Sequence, residues 1–310
     1  MPPVARRRGA ITRRRAPNRE AALVVIAFAG GAGLALQARV NGELGARLHS
    51  PLAASVPNFL IGLAIATVVL ATRGVNPVAS VRKFRGPPWY LVGGLCGALF
   101  VYATVTTTPR LGVSLVSVAV AAGTASAALL ADAVGLSVAG RHPPSLTRMV
   151  GAALLVVAVV VSANGAHVSG HGRDFVLAAA GGFALGCQHP INSRLGRALR
   201  DPTVAVWTSF AVGSVATVAF AFPDLLDVTW PRQPGVYSGG LLGAAYVLLA
   251  IRVVERVGAL RLSVATLSGQ LVGAALLDAF APVHGRDLTA ATIAGVVIAL
   301  VAVAITGRAR

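Results

Sequence analysis

The stretch Gln37–Gly62 reads QARVNGELGARLHSPLAASVPNFLIG, and Gln188–Gly213 reads QHPINSRLGRALRDPTVAVWTSFAVG. At an offset of 151 residues the two agree without a gap at Gln37/Gln188, Asn41/Asn192, Leu44/Leu195, Gly45/Gly196, Leu48/Leu199, Pro51/Pro202, Ala54/Ala205, Phe59/Phe210 and Gly62/Gly213. Chance gives about two such matches in a chain so rich in Ala, Gly, Leu and Val. The agreement continues at an offset of 146, where Gly94 falls on Gly240, Gly97 on Gly243, Arg110 on Arg256, Gly112 on Gly258, Ser117 on Ser263, Gly123 on Gly269 and Asp132 on Asp278. Self-similarity on this scale divides the chain into two copies of one unit. The copies span residues 21–166 and 174–310, after a basic tail, 1–20, and around a short linker, 167–173.

The composition says what solvent the unit was built for. Hydrophobic residues make up 55% of the chain and charged residues 12%, where a soluble domain carries about 25% charged residues. That is too little polar surface to cover a water-soluble body of 310 residues. A membrane-spanning helix needs about 20 mostly apolar residues. The first copy offers Ala21–Leu48, Leu52–Ala71, Trp89–Thr108, Leu111–Ala139 and Met149–Ala163; the second offers Phe175–Leu199, Val204–Phe222, Val236–Val254, Ala259–Val283 and Leu288–Thr306. The expected fold is therefore an all-α integral membrane protein of ten transmembrane helices. Five is odd, so the second copy enters the membrane from the opposite side. Inverted repeats of this kind recur in secondary transporters.

Net charge is +17, which on a soluble protein would suggest nucleic acid. Here the basic residues cluster in the tail and in alternate loops, as membrane orientation requires. With the tail inside, the inner loops hold Arg73, Arg82, Lys83 and Arg85, then Arg141 and Arg148, then Arg194, Arg197 and Arg200, then Arg252, Arg256 and Arg261. Each outer loop holds about one arginine: Arg47, Arg110, Arg173, Arg232, Arg286. Both termini are expected on the cytoplasmic side, with the tail retained rather than cleaved as a signal peptide. Cys96 and Cys187 lie inside apolar runs and read as small packing residues.

The doubled pattern Gln-x-x-x-Asn-x-x-Leu-Gly, followed by Pro and Phe-x-x-Gly, resembles the YdcZ-like branch of the drug/metabolite transporter superfamily. Gly269–Gln270 with Leu277–Asp278 also fits it. The resemblance covers nearly all of the chain after the tail. It implies a five-plus-five helix fold with a central pathway in a bacterial inner membrane, and a transporter without a stated substrate. The symmetry breaks at Gly269–Gln270, which is Gly123–Thr124 in the first copy. Small multidrug exporters of the same superfamily resemble half of this chain and carry a membrane-embedded Glu in their first helix. Here Glu20 and Glu43 stand only at its two ends.

Polar groups inside lipid are costly and turn inward. Gln37 and Asn41, and likewise Gln188 and Asn192, share a helix face at i, i+4 spacing. They either bind substrate and close the pathway or hold helices together by hydrogen bonds. Gln270, Tyr102, Tyr246 and Asn58 are further pathway candidates, with Trp207, Ser209, Ser117 and Ser263 behind them. Asp132 and Asp278 each stand about 33 Å along their helices from Arg110 and Arg256 respectively, at 1.5 Å per residue. Each aspartate is thus level with the arginine of the other copy, and the expected ion pairs are Asp132–Arg256 and Asp278–Arg110, serving as gates or structural locks. Gly30, Gly31, Gly181 and Gly182 read as close-approach points between helices. His142, His167, His171, His189 and His284 have no metal-ligand spacing.

No HExxH, GxxxxGK[ST] or GxSxG motif is present, so neither a protease nor a nucleotide-driven pump has its machinery here. The expectation is a non-enzyme without cofactor or metal: a secondary transporter or uniporter of a small polar metabolite working by alternating access. A proton-coupled cation exporter and a non-transporting scaffold or sensor are the alternatives. The expected partners are the lipid bilayer and an unidentified small molecule; a homodimer stays open.

Overall fold

A computed structural model describes residues 17–136, 141, 145–165, 170–282 and 288–308, and within those bounds the chain is helical. Helix α1 spans Pro17–Leu48, α2 Pro51–Thr72, the short α3 Pro77–Arg82, α4 Gly93–Leu111, α5 Val113–Val134 and α6 Leu146–Gly165. Then follow α7 Gly172–Leu199, α8 Pro202–Asp227, α9 Ser238–Val257, α10 Ala259–Phe280 and α11 Ala290–Arg308. Single 3₁₀ turns, Pro88–Val92 and Pro234–Tyr237, lead into α4 and α9. Among the described residues, nine helices are long and apolar enough to cross a membrane. Helix α7 has the length, 28 residues, but carries Arg173, Asp174, His189, Asn192, Arg194 and Arg197 and falls short on composition. It nevertheless packs along α5, α4 and α8.

The two halves pack through matched residues, reciprocally. A Cβ at Gly62 would lie 2.3 Å from the Phe210 ring, and one at Gly213 would lie 2.3 Å from the Phe59 ring. The two rings meet edge-on at 6.2 Å. Gly93 and Gly97 of α4 lie on Asn192 and Gln188 of α7, while Gly239 and Gly243 of α9 lie on Asn41 and Gln37 of α1. Gly182 meets the α5 backbone at Val120, and Gly31 meets the α10 backbone at Thr266. Small residues at these points let backbones touch, which supplies the dispersion contact that holds helices together where lipid gives no hydrophobic drive.

Helices α2 and α8 run antiparallel and are tied at both ends by residues equivalent in the two halves. Ser50 caps α2, accepting the Ala53 N–H, and its hydroxyl donates to Asp224 at the far end of α8. Asp201 caps α8, accepting the Thr203 N–H, and pairs with Arg73 at the far end of α2. A prolyl residue follows each cap, where its missing N–H costs nothing. Trp207 donates to Thr67 across the same seam, which commits the indole to packing rather than to a pathway.

Partial burial pushes the Asp201 carboxyl up, but the Arg73 hydrogen bond, the backbone N–H groups and the Arg73 charge outweigh it and hold the carboxyl below the usual carboxylate range. A depressed carboxylate stabilises the fold above its unfolded value, about 3.9, and that contribution is lost as pH falls through the folded value. Arg73 is half exposed, so the tie is worth at most about 1 kcal/mol. Arg73→Ala is expected to lower the melting temperature slightly at pH 7 and hardly at all below the Asp201 pKa; thermal unfolding across pH checks this.

Glycines set two of the helix limits. Gly112, at φ +86°, ends α4 and starts α5, and Gly258, at φ +84°, does the same between α9 and α10. That backbone region favours glycine because other residues clash there through Cβ. The short helix Pro77–Arg82 is an addition to the expected ten. Of the segments discussed above, residues 1–16, 137–140, 142–144 with His142, 166–169 with His167, 283–287 with His284 and Arg286, and 309–310 lie outside the described residues.

Candidate functional site

The repeated glutamine–asparagine pairs sit at the two ends of the bundle in unequal surroundings. Near the end that carries Ser50 and Asp224, Gln37 and Asn41 of α1 both donate to the Asn58 side-chain oxygen of α2, at 2.9 and 3.0 Å. The three are 7%, 3% and 5% exposed. Both amide N–H donors thus have an acceptor, and all three residues are buried. At the other end, which carries Arg73 and Asp201, the Asn192 oxygen accepts from Ser209 at 2.7 Å. There Gln188 and Asn192 are only partly buried, and His189 and Ser193 are exposed. Among the described residues, Gln188 and His189 make no side-chain hydrogen bond.

His189 lies away from the apolar exposed side of α7. The apolar exposed side of α7 runs through Val176, Ala180 and Phe183. At 100° per residue His189 lies opposite Ala180, and it follows Gly182 by seven residues, on the side turned to α5. His189 is exposed on that side. Its counterpart in the first half is Ala38, which is buried. The same imbalance holds elsewhere: Ser117 is buried and Ser263 exposed, Val105 buried and Ile251 only partly so.

The packing accounts for it. Gly42 and Gly45 of α1 lie on Thr108 and Val105 of α4 and close one end. Among the described residues, the equivalent pair α7 and α9 does not pack in this way, and Gly196 lies nearest its own neighbour α8 at Pro202 and Ala205. The α1–α4 contact closes one end between those helices, and the arginine-rich end lacks its counterpart between α7 and α9 among the described residues. Two surface clefts, one beside Arg47, His49 and Asp224 and one beside Val24, Phe28 and Arg261, lie apart from this group.

Of the other candidates, Tyr246 approaches Thr266 at 3.4 Å and packs beside Gly30, bridging α9, α10 and α1. Gln270 is buried where Gly31 comes onto α10, and its counterpart Thr124 donates to the Gly182 carbonyl. Tyr102 is half-buried on α4. His189 carries no expectation from sequence beyond that of a poor metal ligand. It is matched to an alanine, so comparison of the halves passes over it.

The expected ion pairs are corrected. Arg110 pairs with Asp174 at 3.0 Å, not with Asp278, and Asp132 pairs with Arg148, not with Arg256. Asp278 reaches the other half as expected, but it accepts the backbone N–H groups of Val113 and Ser114 at 3.1 and 2.6 Å. Level with Arg110 there is also a helix start with unfilled N–H donors, and a buried carboxylate gains more from two such donors than from an exposed guanidinium.

A model of the family described as "Putative inner membrane exporter, YdcZ" matches this chain twice, over residues 22–161 and 175–305. The chain belongs to that family. This YdcZ-family member is thus a multi-pass inner-membrane protein of a transport family, and the two matched stretches are the two halves whose residues pack reciprocally. A solved crystal structure, described only as a protein, is similar to it at TM-score 0.62 and 16% identity, over 93% of this chain and 97% of that one. That likeness concerns the fold. No curated protein matches the sequence.

Proposed function

We propose that this YdcZ-family protein moves a small polar metabolite by alternating access, and that the structure described is its form open toward the arginine-rich, cytoplasmic end. On this reading α7 is the tenth crossing, despite its polar residues, and the two halves are inverted in the membrane. Both termini then lie in the cytoplasm. The observation that carries the proposal is the inequality of matched residues: Gln37, Ala38 and Asn41 are buried while Gln188 and Asn192 are only partly buried and His189 is exposed. Two similar halves can exchange these arrangements, and the exchange moves the opening from one face to the other.

The exposed group offers two amides, an imidazole and hydroxyls, with no carboxylate among them. Among the described residues the buried acids are Asp278, held by backbone N–H groups, and Asp174, held by Arg110 and His171. Such a lining suits an uncharged or anionic polar solute better than a cation, which sets proton-driven cation export behind the metabolite reading.

Thermal unfolding of the purified protein against a panel of small polar metabolites tests this. A ligand at 100 times its Kd adds about 2.7 kcal/mol. The stabilisation should be lost in Gln188→Ala and in His189→Ala. A compound that stabilises wild type and both variants equally would place its site elsewhere.

A further inference from the structure

Gly112 and Gly258 are equivalent, share the same left-handed backbone, and each opens a helix that has no side-chain cap of its own. At Gly112 the vacancy is filled from across the molecule: the Asp278 carboxylate, at the end of α10, accepts the first two N–H groups of α5, and a Cβ on Gly112 would lie 3.3 Å from it. At Gly258 nothing lies within 4 Å of the equivalent point. The residue that would fill it is Asp132, at the end of α5, and it is turned instead to Arg148 at the start of α6. The filled joint is at the sealed end of the bundle and the unfilled one at the parted end.

We propose that Asp278 and Asp132 are alternating latches: Asp278 fastens α10 to the start of α5 in the form described, and Asp132 fastens α5 to the start of α10 when the arginine-rich end closes. The inference rests on the alternating-access reading. A carboxylate at a helix start combines charge-assisted hydrogen bonds with the positive end of the helix dipole. Each latch therefore favours closure of its own end, and the two oppose each other. When α5 and α10 close at the arginine-rich end, Asp132 leaves Arg148 and accepts the backbone N–H groups of Ala259 and Leu260, the equivalents of Val113 and Ser114. When the other end parts, Asp278 lets go of α5.

The resting place of the free latch is not symmetric. Gly151 of α6 lies on Ala302 and Thr306 of α11, and Gly295 of α11 lies on Ala158 and Ser162 of α6. This reciprocity matches Arg148 to Thr292, which is buried. Among the described residues, Asp132 has a guanidinium to rest on and Asp278 has none, which biases the protein toward the form described.

The test uses the full-length protein in oriented vesicles, with Cys96 and Cys187 replaced by Ser and a single reporter, Ser193→Cys or Ala38→Cys. A membrane-impermeant maleimide then reads each end from its own side. Relative to the unmodified latch, Asp278→Asn should lower the ratio of Ser193→Cys to Ala38→Cys labelling rates about tenfold, the worth of a carboxylate's hydrogen bonds at a helix start. Arg148→Gln, which frees Asp132 without touching the Asp278 joint, should lower it as well, and Asp132→Asn should raise it. Equal ratios in all three variants, or a fall with Asp132→Asn, would overturn the latch while leaving alternating access intact. If Ala38→Cys is never labelled in any variant, the failure belongs to the alternating-access reading itself. Because Arg148→Gln acts away from the buried joint, its result decides even where Asp278→Asn does not fold.

Discussion

Gly269→Ala is expected to destabilise the protein by about 3 kcal/mol, the upper part of the range for forcing extra carbon into a packed interior. The added Cβ would stand 1.9 Å from the Phe28 carbonyl oxygen, so α1 and α10 must move apart along their contact. The obstacle is backbone and cannot rotate away. Gly123→Ala should act alike, since its Cβ would stand 1.9 Å from the Ala179 carbonyl oxygen of α7. Gly33→Ala is the control: nothing lies within 4 Å of its Cβ position, and alanine is the better helix former by about 1 kcal/mol. Thermal unfolding in detergent should show the first two variants melting well below wild type and Gly33→Ala at or above it. Equal melting of all three would mean that the helices do not touch as described.

Asn58→Ala is expected to cost about 3 kcal/mol and to open the sealed end. Its side-chain oxygen is the acceptor for both Gln37 and Asn41, and a buried donor left without an acceptor costs about 1–3 kcal/mol. Ser209→Ala, at the equivalent place in the second half, should cost well under half as much. Its partner Asn192 is partly exposed and water can replace the lost hydroxyl. The difference between two matched substitutions is the useful quantity, because a uniformly packed bundle would show none. Chemical unfolding and labelling of Ala38→Cys read the two effects separately.

Much of this architecture was legible in the residues. The helices follow from apolar runs, and the division into halves from positions 37–62 repeating at 188–213. What repeated was also what packed: the matched Phe59 and Phe210, Gly62 and Gly213, Gln37 and Gln188 all meet the opposite half. The limits of that method are as informative. Asn58 and His189 are matched to Ser209 and Ala38, so identity between halves undervalues them: Asn58 ranked only as a secondary pathway candidate, and the exposure of His189 had no signal in the sequence. The ion pairs failed for a different reason. Charge matching counts side chains, whereas the donors that hold Asp278 belong to the backbone at the start of α5, beside Gly112. The imbalance between the two ends has no trace in the sequence, since matched halves predict equal ends.

Alternating access requires that imbalance to be one of two exchangeable forms. Spin labels at matched positions measure it most directly: Ala46 with Arg110 across the sealed end, and Arg197 with Arg256 across the parted end. Double electron–electron resonance in lipid bilayers should give two distances for each pair, with the short population at one end rising as that at the other falls. A single unchanging distance for both pairs, with and without a stabilising ligand, would contradict the account and leave a static bundle in its place.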